Sequence, residues 1–154
     1  MLPKVLADTP LADALVELLD GQAVVVPWDA GQDGRVAPIE GVLTYGHVPV
    51  DGPLLDRLGT VRVVSNYGVG VDHIDLAAAA ARGVRVGATP GILDGATADM
   101  AMTLLLAAGR RLAEGVRYAR SPAFTRFDPG YMLGQEIHGQ TLGIVGMGRI
   151  GCEI

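Results

Sequence analysis

The sequence predicts an α/β fold built on a parallel sheet, and three observations carry that expectation. Short apolar runs rich in β-branched residues recur, as KVLA, AVVV, GVLTY, VRVVS and VRVGA. Segments with helical spacing of apolar residues lie between them. Regular alternation of the two is the signature of crossover units, in which a helix links each strand to a parallel neighbour.

Taken in order, residues 4 to 7 read as a strand and residues 11 to 19 (LADALVELL) as an amphipathic helix. AVVV at 23 to 26 is a second strand, followed by a long loop with Gly and Asp that carries no assignable period and holds Trp28, an aromatic expected to pack. GVLTY at 41 to 45 is the third strand, PLLDRLG at 53 to 59 a short helix ended by glycine, and VRVVS at 61 to 65 the fourth strand. DLAAAAARG at 75 to 83 is made of strong helix formers and closed by Gly83, and VRVGA at 84 to 88 is the fifth strand. Five strands joined this way predict a flavodoxin-like lobe over residues 1 to 93.

A long helix is predicted from about Gly95 to Tyr118 within residues 94 to 120, roughly 36 Å at 1.5 Å per residue. Asp94 or Thr97 is placed to cap it, and Asp99 falls in its first turn. Its middle, MAMTLLLAAG, is apolar on every side and predicts burial all round. Beyond it, Arg110, Arg111, Glu114 and Arg117 alternate with apolar residues at spacings of three and four, which makes that half amphipathic. Residues 119 to 138 read as an irregular connector with an aromatic cluster of Phe124, Phe127 and Tyr131. TLGIVGMG at 141 to 148 reads as a strand entering a glycine turn, so residues 121 to 154 are the connector and the start of a truncated Rossmann domain.

Composition excludes several classes of function. Acidic residues number 17 against 12 basic ones, and a net charge of -5 with no basic stripe argues against nucleic acid. The single cysteine, Cys152, has no internal partner, and MLPKVLADTP has no signal-peptide character, so a cytoplasmic setting is expected. AMTLLLAAG is shorter than the ~20 residues of a membrane span, so no membrane contact is expected.

Two glycine motifs carry the chemistry. Gly146, Gly148 and Gly151 form GxGxxG after a strand, either the arrangement that makes a tight turn, admits a pyrophosphate to the backbone and lets the helix lie close to the strand, or a merely structural turn in a glycine-rich chain. The acidic residue that separates NAD from NADP falls ~20 positions further on, beyond Ile154. Gly68 and Gly70 in NYGVGVDHID follow the fourth strand, where ligands of open α/β sheets bind. The amides of Val69 and Gly70 there can hold a carboxylate, or the glycines can simply supply positive φ in a turn.

SNYGVGVDHID, GVRVGATPGILDGATADMAMTLLLAAGRR and LGIVGMGRIG together resemble the D-isomer-specific 2-hydroxyacid dehydrogenases, especially their glyoxylate/hydroxypyruvate reductase branch. The resemblance is dense from about Gly41 to Gly151. It implies an oxidoreductase that moves a hydride between NAD or NADP and a small 2-oxo or 2-hydroxy acid, with a homodimer as the full-length state. It implies that Val69 and Gly70 hold the substrate carboxylate. Thr97 lies near the nicotinamide, and Gly146, Gly148, Arg149, Ile150 and Gly151 cradle the pyrophosphate.

The loop of Thr44, Tyr45, Gly46 and His47 corresponds to a variable region lining the cleft in relatives. The resemblance also implies that the carboxylate and pyrophosphate sites face one crevice. The family's catalytic Arg, Glu and His all follow the glycine turn, so no catalytic residue is assigned here. His47, His73 and His138 do not match the catalytic histidine, and His73 is expected to face a helix start or solvent. Residues 1 to 154 alone are therefore expected to be inactive, and a non-catalytic ligand- or partner-binding module of the same fold is the alternative. Its motivation is a strand edge without neighbours beside an apolar helix.

Overall fold

The computed structural model describes residues 1–36 and 38–154. They form two units, Met1–Pro90 and Gly91–Ile154.

The first unit is a five-stranded parallel sheet. Its strands are β1 (Lys4–Ala7), β2 (Val24–Pro27), β3 (Gly41–Thr44), β4 (Val63–Asn66) and β5 (Arg85–Gly87), in spatial order β2-β1-β3-β4-β5. That is the doubly wound flavodoxin-type order predicted from the alternation of elements, with the order reversing between β1 and β3. Register aligns Val26, Leu6, Val42, Val64 and Val86 in one row across the sheet. Leu6, Val42 and Val64 in that row are fully buried. These β-branched runs are strands because their side chains pack on a pleated, half-covered surface.

Helices α1 (Asp13–Leu19), α3 (Gly52–Leu58) and α4 (Leu76–Ala81) make the crossovers. α3 starts at Asp51, whose carboxylate accepts the Leu54 N–H at 2.9 Å, and it ends at Gly59 in the left-handed region. Its Leu54, Leu55 and Leu58 enter the core. α4 starts in the same way at Asp75, which accepts the Ala78 N–H at 2.8 Å. Within the stretch that carried no period, residues 28 to 31 form a one-turn helix, α2 (Trp28–Gly31), and Trp28 packs on the core as expected. Position 37 of that stretch lies outside the described residues.

In the second unit the single long helix expected from the sequence is two helices, α5 (Asp94–Gly109) and α6 (Leu112–Ala119). The break is at Arg111, with φ 51°. A distant segment explains it: the Gln135 N–H takes the Gly109 carbonyl at 2.8 Å, and Ile137 lies against Gly109. The expected burial of the helix middle is also not observed. Ala98 is its buried residue, while Met100, Leu104 and Leu106 are half or more exposed.

Neither Asp94 nor Thr97 caps α5, because Leu93 is the cap residue and makes no side-chain bond. With the helix starting at Asp94, Asp99 lies beyond its first turn. The aromatic cluster centres on Tyr118, whose ring meets Phe124 at 5.5 Å and Tyr131 at 4.6 Å, while Phe127 is exposed. Residues 141 to 148 form no strand among the described residues. The apolar run is present, but no described segment pairs with it, and a strand exists only through its ladder. The final helix is α7 (Arg149–Glu153).

Candidate functional site

In the first unit, the ends of β1, β3 and β4 meet at the carboxyl edge of the sheet. At the β1/β3 reversal, where such sheets commonly bind anions, an internal carboxylate already occupies the amides. Asp8 accepts the Tyr45 and Gly46 N–H groups, both at 2.8 Å. The loop of Thr44, Tyr45, Gly46 and His47 is thereby fixed, and His47 adopts φ 61°.

The amides left without partners lie one strand further on. After β4 the chain runs through Tyr67, Gly68, Val69 and Gly70, and among the described residues neither Val69 nor Gly70 donates a backbone hydrogen bond. Neither Gly68 nor Gly70 has positive φ, so a left-handed turn is not why glycine stands there. A Cβ at Gly70 would come no nearer than 3.5 Å to Asp72, an ordinary contact. The observed conformation thus removes positive φ as the reason for the two glycines and leaves space beside the Gly70 amide.

The carbonyls of the same loop are tied down. Gly68 accepts from the Thr89 N–H at 2.9 Å, and Gly70 accepts from Asn66 Nδ2 at 2.9 Å. Because a trans peptide points its N–H opposite the preceding carbonyl, the Thr89 bond turns the Val69 amide away from Thr89.

Asn66 is itself held. Thr44 and Asn66 are register partners on β3 and β4, both at most 1% exposed, and the Thr44 hydroxyl donates to Asn66 Oδ1 at 3.0 Å. His73 Nε2 lies 3.2 Å from Thr44 Oγ1, and its ring is tilted 40° to that of His47, with 4.8 Å between centroids. His73, expected to face a helix start or solvent, is half-buried and turns its Nε2 to a buried hydroxyl. The Thr44–Asn66–His73 chain was not anticipated from the sequence. Its only local signal is a polar residue closing each of two apolar strands; the pairing itself needs the register.

In the second unit the glycine turn has the geometry its spacing predicts. Gly146 has φ 103°, a region that disfavours other residues. Gly151 is buried, and a Cβ there would overlap the Gly146 carbonyl oxygen, so only glycine lets α7 lie this close. Gly148 has nothing within 4 Å of its Cβ position, which leaves its surface free. Among the described residues the N–H groups of Arg149, Ile150 and Gly151 donate to no backbone acceptor, as expected in the first turn of a helix. Arg149 itself pairs with Asp94 at 3.5 Å and so links α7 to the start of α5. Thr97 is exposed in the first turn of α5. Among the described residues no group of His, Cys, Asp and Glu forms a metal site, and no helix is long and apolar enough to cross a membrane.

A doubly wound parallel sheet with unpartnered amides at its carboxyl edge, followed in the sequence by a glycine turn of the dinucleotide type, places the chain in the α/β class. The sequence profile of the D-isomer specific 2-hydroxyacid dehydrogenase catalytic domain matches residues 5–145, and the chain belongs to that family. The glyoxylate reductase of Thermococcus kodakarensis is 36% identical over 98% of this chain and 49% of its own length. Two solved structures are also similar. The TT0316 protein of Thermus thermophilus has TM-score 0.86 and 38% identity, with 97% of this chain and 50% of that one covered. An NADPH-dependent glyoxylate/hydroxypyruvate reductase of Sinorhizobium meliloti, solved with NADP and malonate, has TM-score 0.79 and 29% identity, with 98% and 48% covered. This chain spans about half the length of the relatives it matches.

Proposed function

We propose that these residues are the N-terminal portion of an enzyme that transfers a hydride between NAD or NADP and a small 2-oxo or 2-hydroxy acid, glyoxylate or hydroxypyruvate foremost. The observation that carries this reading is the pair of unpartnered amides at Val69 and Gly70, in a chain whose relatives include glyoxylate reductases. Two N–H groups on an open sheet edge match the two oxygens of a carboxylate and fix which face of the adjoining carbonyl is presented.

The turn fits a dinucleotide. Its open surface at Gly148 and the free N–H groups of Arg149, Ile150 and Gly151 would hold the pyrophosphate, with Gly146 shaping the turn. Thr97 is assigned to the nicotinamide side. When bound, the nicotinamide supplies or accepts the hydride. Residues 1–93 form the substrate lobe, 94–120 the helical link and 121–154 the opening of the cofactor domain. The full-length protein is assigned as a cytoplasmic, homodimeric enzyme.

Proton delivery and carbonyl polarisation are assigned to residues outside these 154. His73 is committed to Thr44, and neither His47 nor His138 is given a catalytic role. Residues 1–154 alone are expected to hold glyoxylate without reducing it. Two measurements test this. Glyoxylate should raise the melting temperature above that in sodium chloride of equal ionic strength, and enzyme-dependent loss of NADPH or NADH absorbance with glyoxylate would contradict the division of labour.

A second reading, a non-catalytic module that binds a partner, is favoured by one observation: Met100, Leu104 and Val145 of the second unit are 58%, 61% and 104% exposed. Light scattering separates the two. A clean monomer with one cooperative melt counts against partner binding.

A further inference from the structure

The open amides at Val69 and Gly70 need something to hold their loop in place, and no regular structure spans it. Its Gly70 carbonyl is tied by a side chain, Asn66, whose own orientation is decided by a chain of buried bonds. Because the carbonyl of Gly70 can only accept, the Asn66 atom facing it at 2.9 Å is the amide nitrogen. That places Asn66 Oδ1 toward Thr44, so the single Thr44 hydroxyl proton is donated to it at 3.0 Å. Having spent its proton, Thr44 Oγ1 is an acceptor toward His73, and Nε2 of His73 at 3.2 Å must carry a hydrogen.

We propose that Asn66, oriented through Thr44 by the Nε2–H form of His73, is the positioning residue that sets the Val69 and Gly70 amides for a carboxylate. The proposal rests on the carboxylate reading of those amides. It adds residues that touch no substrate and gives His73 a role other than proton transfer. The relay joins three places in the fold. Thr44 ends β3, Asn66 ends β4, and His73 is anchored by its carbonyl, which accepts the Val50 N–H at 2.9 Å. Thr44 and Asn66 are almost wholly shielded from water, so no solvent molecule substitutes easily for a lost partner.

The test uses the whole chain, isotopically labelled, with glyoxylate as the probe. Thr44→Val keeps the shape of the side chain and removes the hydroxyl, leaving Asn66 Oδ1 without a donor. Thr44→Ser restores the hydroxyl. Thr44→Val is expected to move the Val69 and Gly70 amide resonances, speed exchange of the Thr89 amide and weaken glyoxylate about tenfold, while Thr44→Ser stays within about twofold.

The imidazole nitrogen shifts of His73 should report hydrogen on Nε2. Should Thr44→Val fail to fold, His73→Phe applies the same test from the less buried end, with His73→Gln as the conservative partner. Unmoved Val69 and Gly70 resonances with glyoxylate binding retained, or a bare Nε2 on His73, overturns the relay. If glyoxylate leaves Val69 and Gly70 undisturbed in the unsubstituted chain, the carboxylate reading falls, and the proposal that the relay serves it falls too. The Thr44→Val resonances then show only whether the relay clamps the loop.

Discussion

The Asp8 carboxylate accepts the Gly46 N–H at 2.8 Å, with its second oxygen on the Tyr45 N–H at 2.8 Å. The residue that follows β1 thus fills, with its own charge, the anion position the sheet topology creates between β1 and β3. Removing it with Asp8→Ala leaves two amides to solvent and is expected to lower stability by about 1–2 kcal/mol, since the bonds are partly exposed. Urea denaturation measures this. The response of Val69 and Gly70 to glyoxylate should persist, because Asp8 holds a different loop.

Gly70→Ala separates folding from binding. Its φ suits alanine and the methyl meets only Asp72 at 3.5 Å, so stability should change by less than about 1 kcal/mol. The methyl occupies the space beside the two amides, and calorimetry should record glyoxylate affinity falling by about tenfold or more. Unchanged affinity would remove Gly70 from the site.

Gly151→Ala and Gly148→Ala should behave oppositely toward α7. A Cβ at Gly151 runs into the Gly146 carbonyl, and the overpacking should destabilise the α7 contact by about 1–3 kcal/mol. Amide exchange at Cys152, whose N–H donates to Gly148 at 3.0 Å, should accelerate in that variant. Gly148→Ala meets no atom within 4 Å and should leave that exchange unchanged.

Acid stability should depend on the pairing of α3 with α4. Arg82 holds Asp56 through Nε at 2.7 Å and Nη2 at 2.8 Å, and the hydrogen bonds keep the Asp56 carboxyl below its ordinary value of 3.8. The folded state therefore binds this proton less readily than the unfolded chain. The contribution is complete above the ordinary carboxylate range and is lost as pH falls through the lowered value. Asp56→Asn should flatten the part of the stability profile below about pH 4 and leave its shape near neutrality unchanged. Denaturation midpoints across that range check the sign.

Local chemistry accounts for what was legible in the sequence. Val42 and Val64 announce strands because β-branched side chains suit a pleated surface, and Asp51 and Asp75 announce helix starts by satisfying N–H groups three residues on. Gly146 and Gly151 were readable because their spacing encodes a turn and a close approach. What escaped depends on contacts far apart in the chain. Near Arg111 only Gly109 signals weakly against helix, and the break itself follows from Gln135 and Ile137 lying against that glycine. The run at 141 to 145 has strand propensity, yet propensity without a described partner makes no ladder. The Thr44–Asn66–His73 relay exists only once β3 and β4 are in register.

The backbone of Val69 and Gly70 is assigned to a carboxylate, and an amide-resolved titration of the labelled chain with glyoxylate probes that assignment. Saturable shifts are expected at Val69 and Gly70, reproduced by oxalate and not by chloride, with Gly59 and Gly83 unmoved. Shifts confined to other residues, or none at Val69 and Gly70 as glyoxylate is raised, would contradict it.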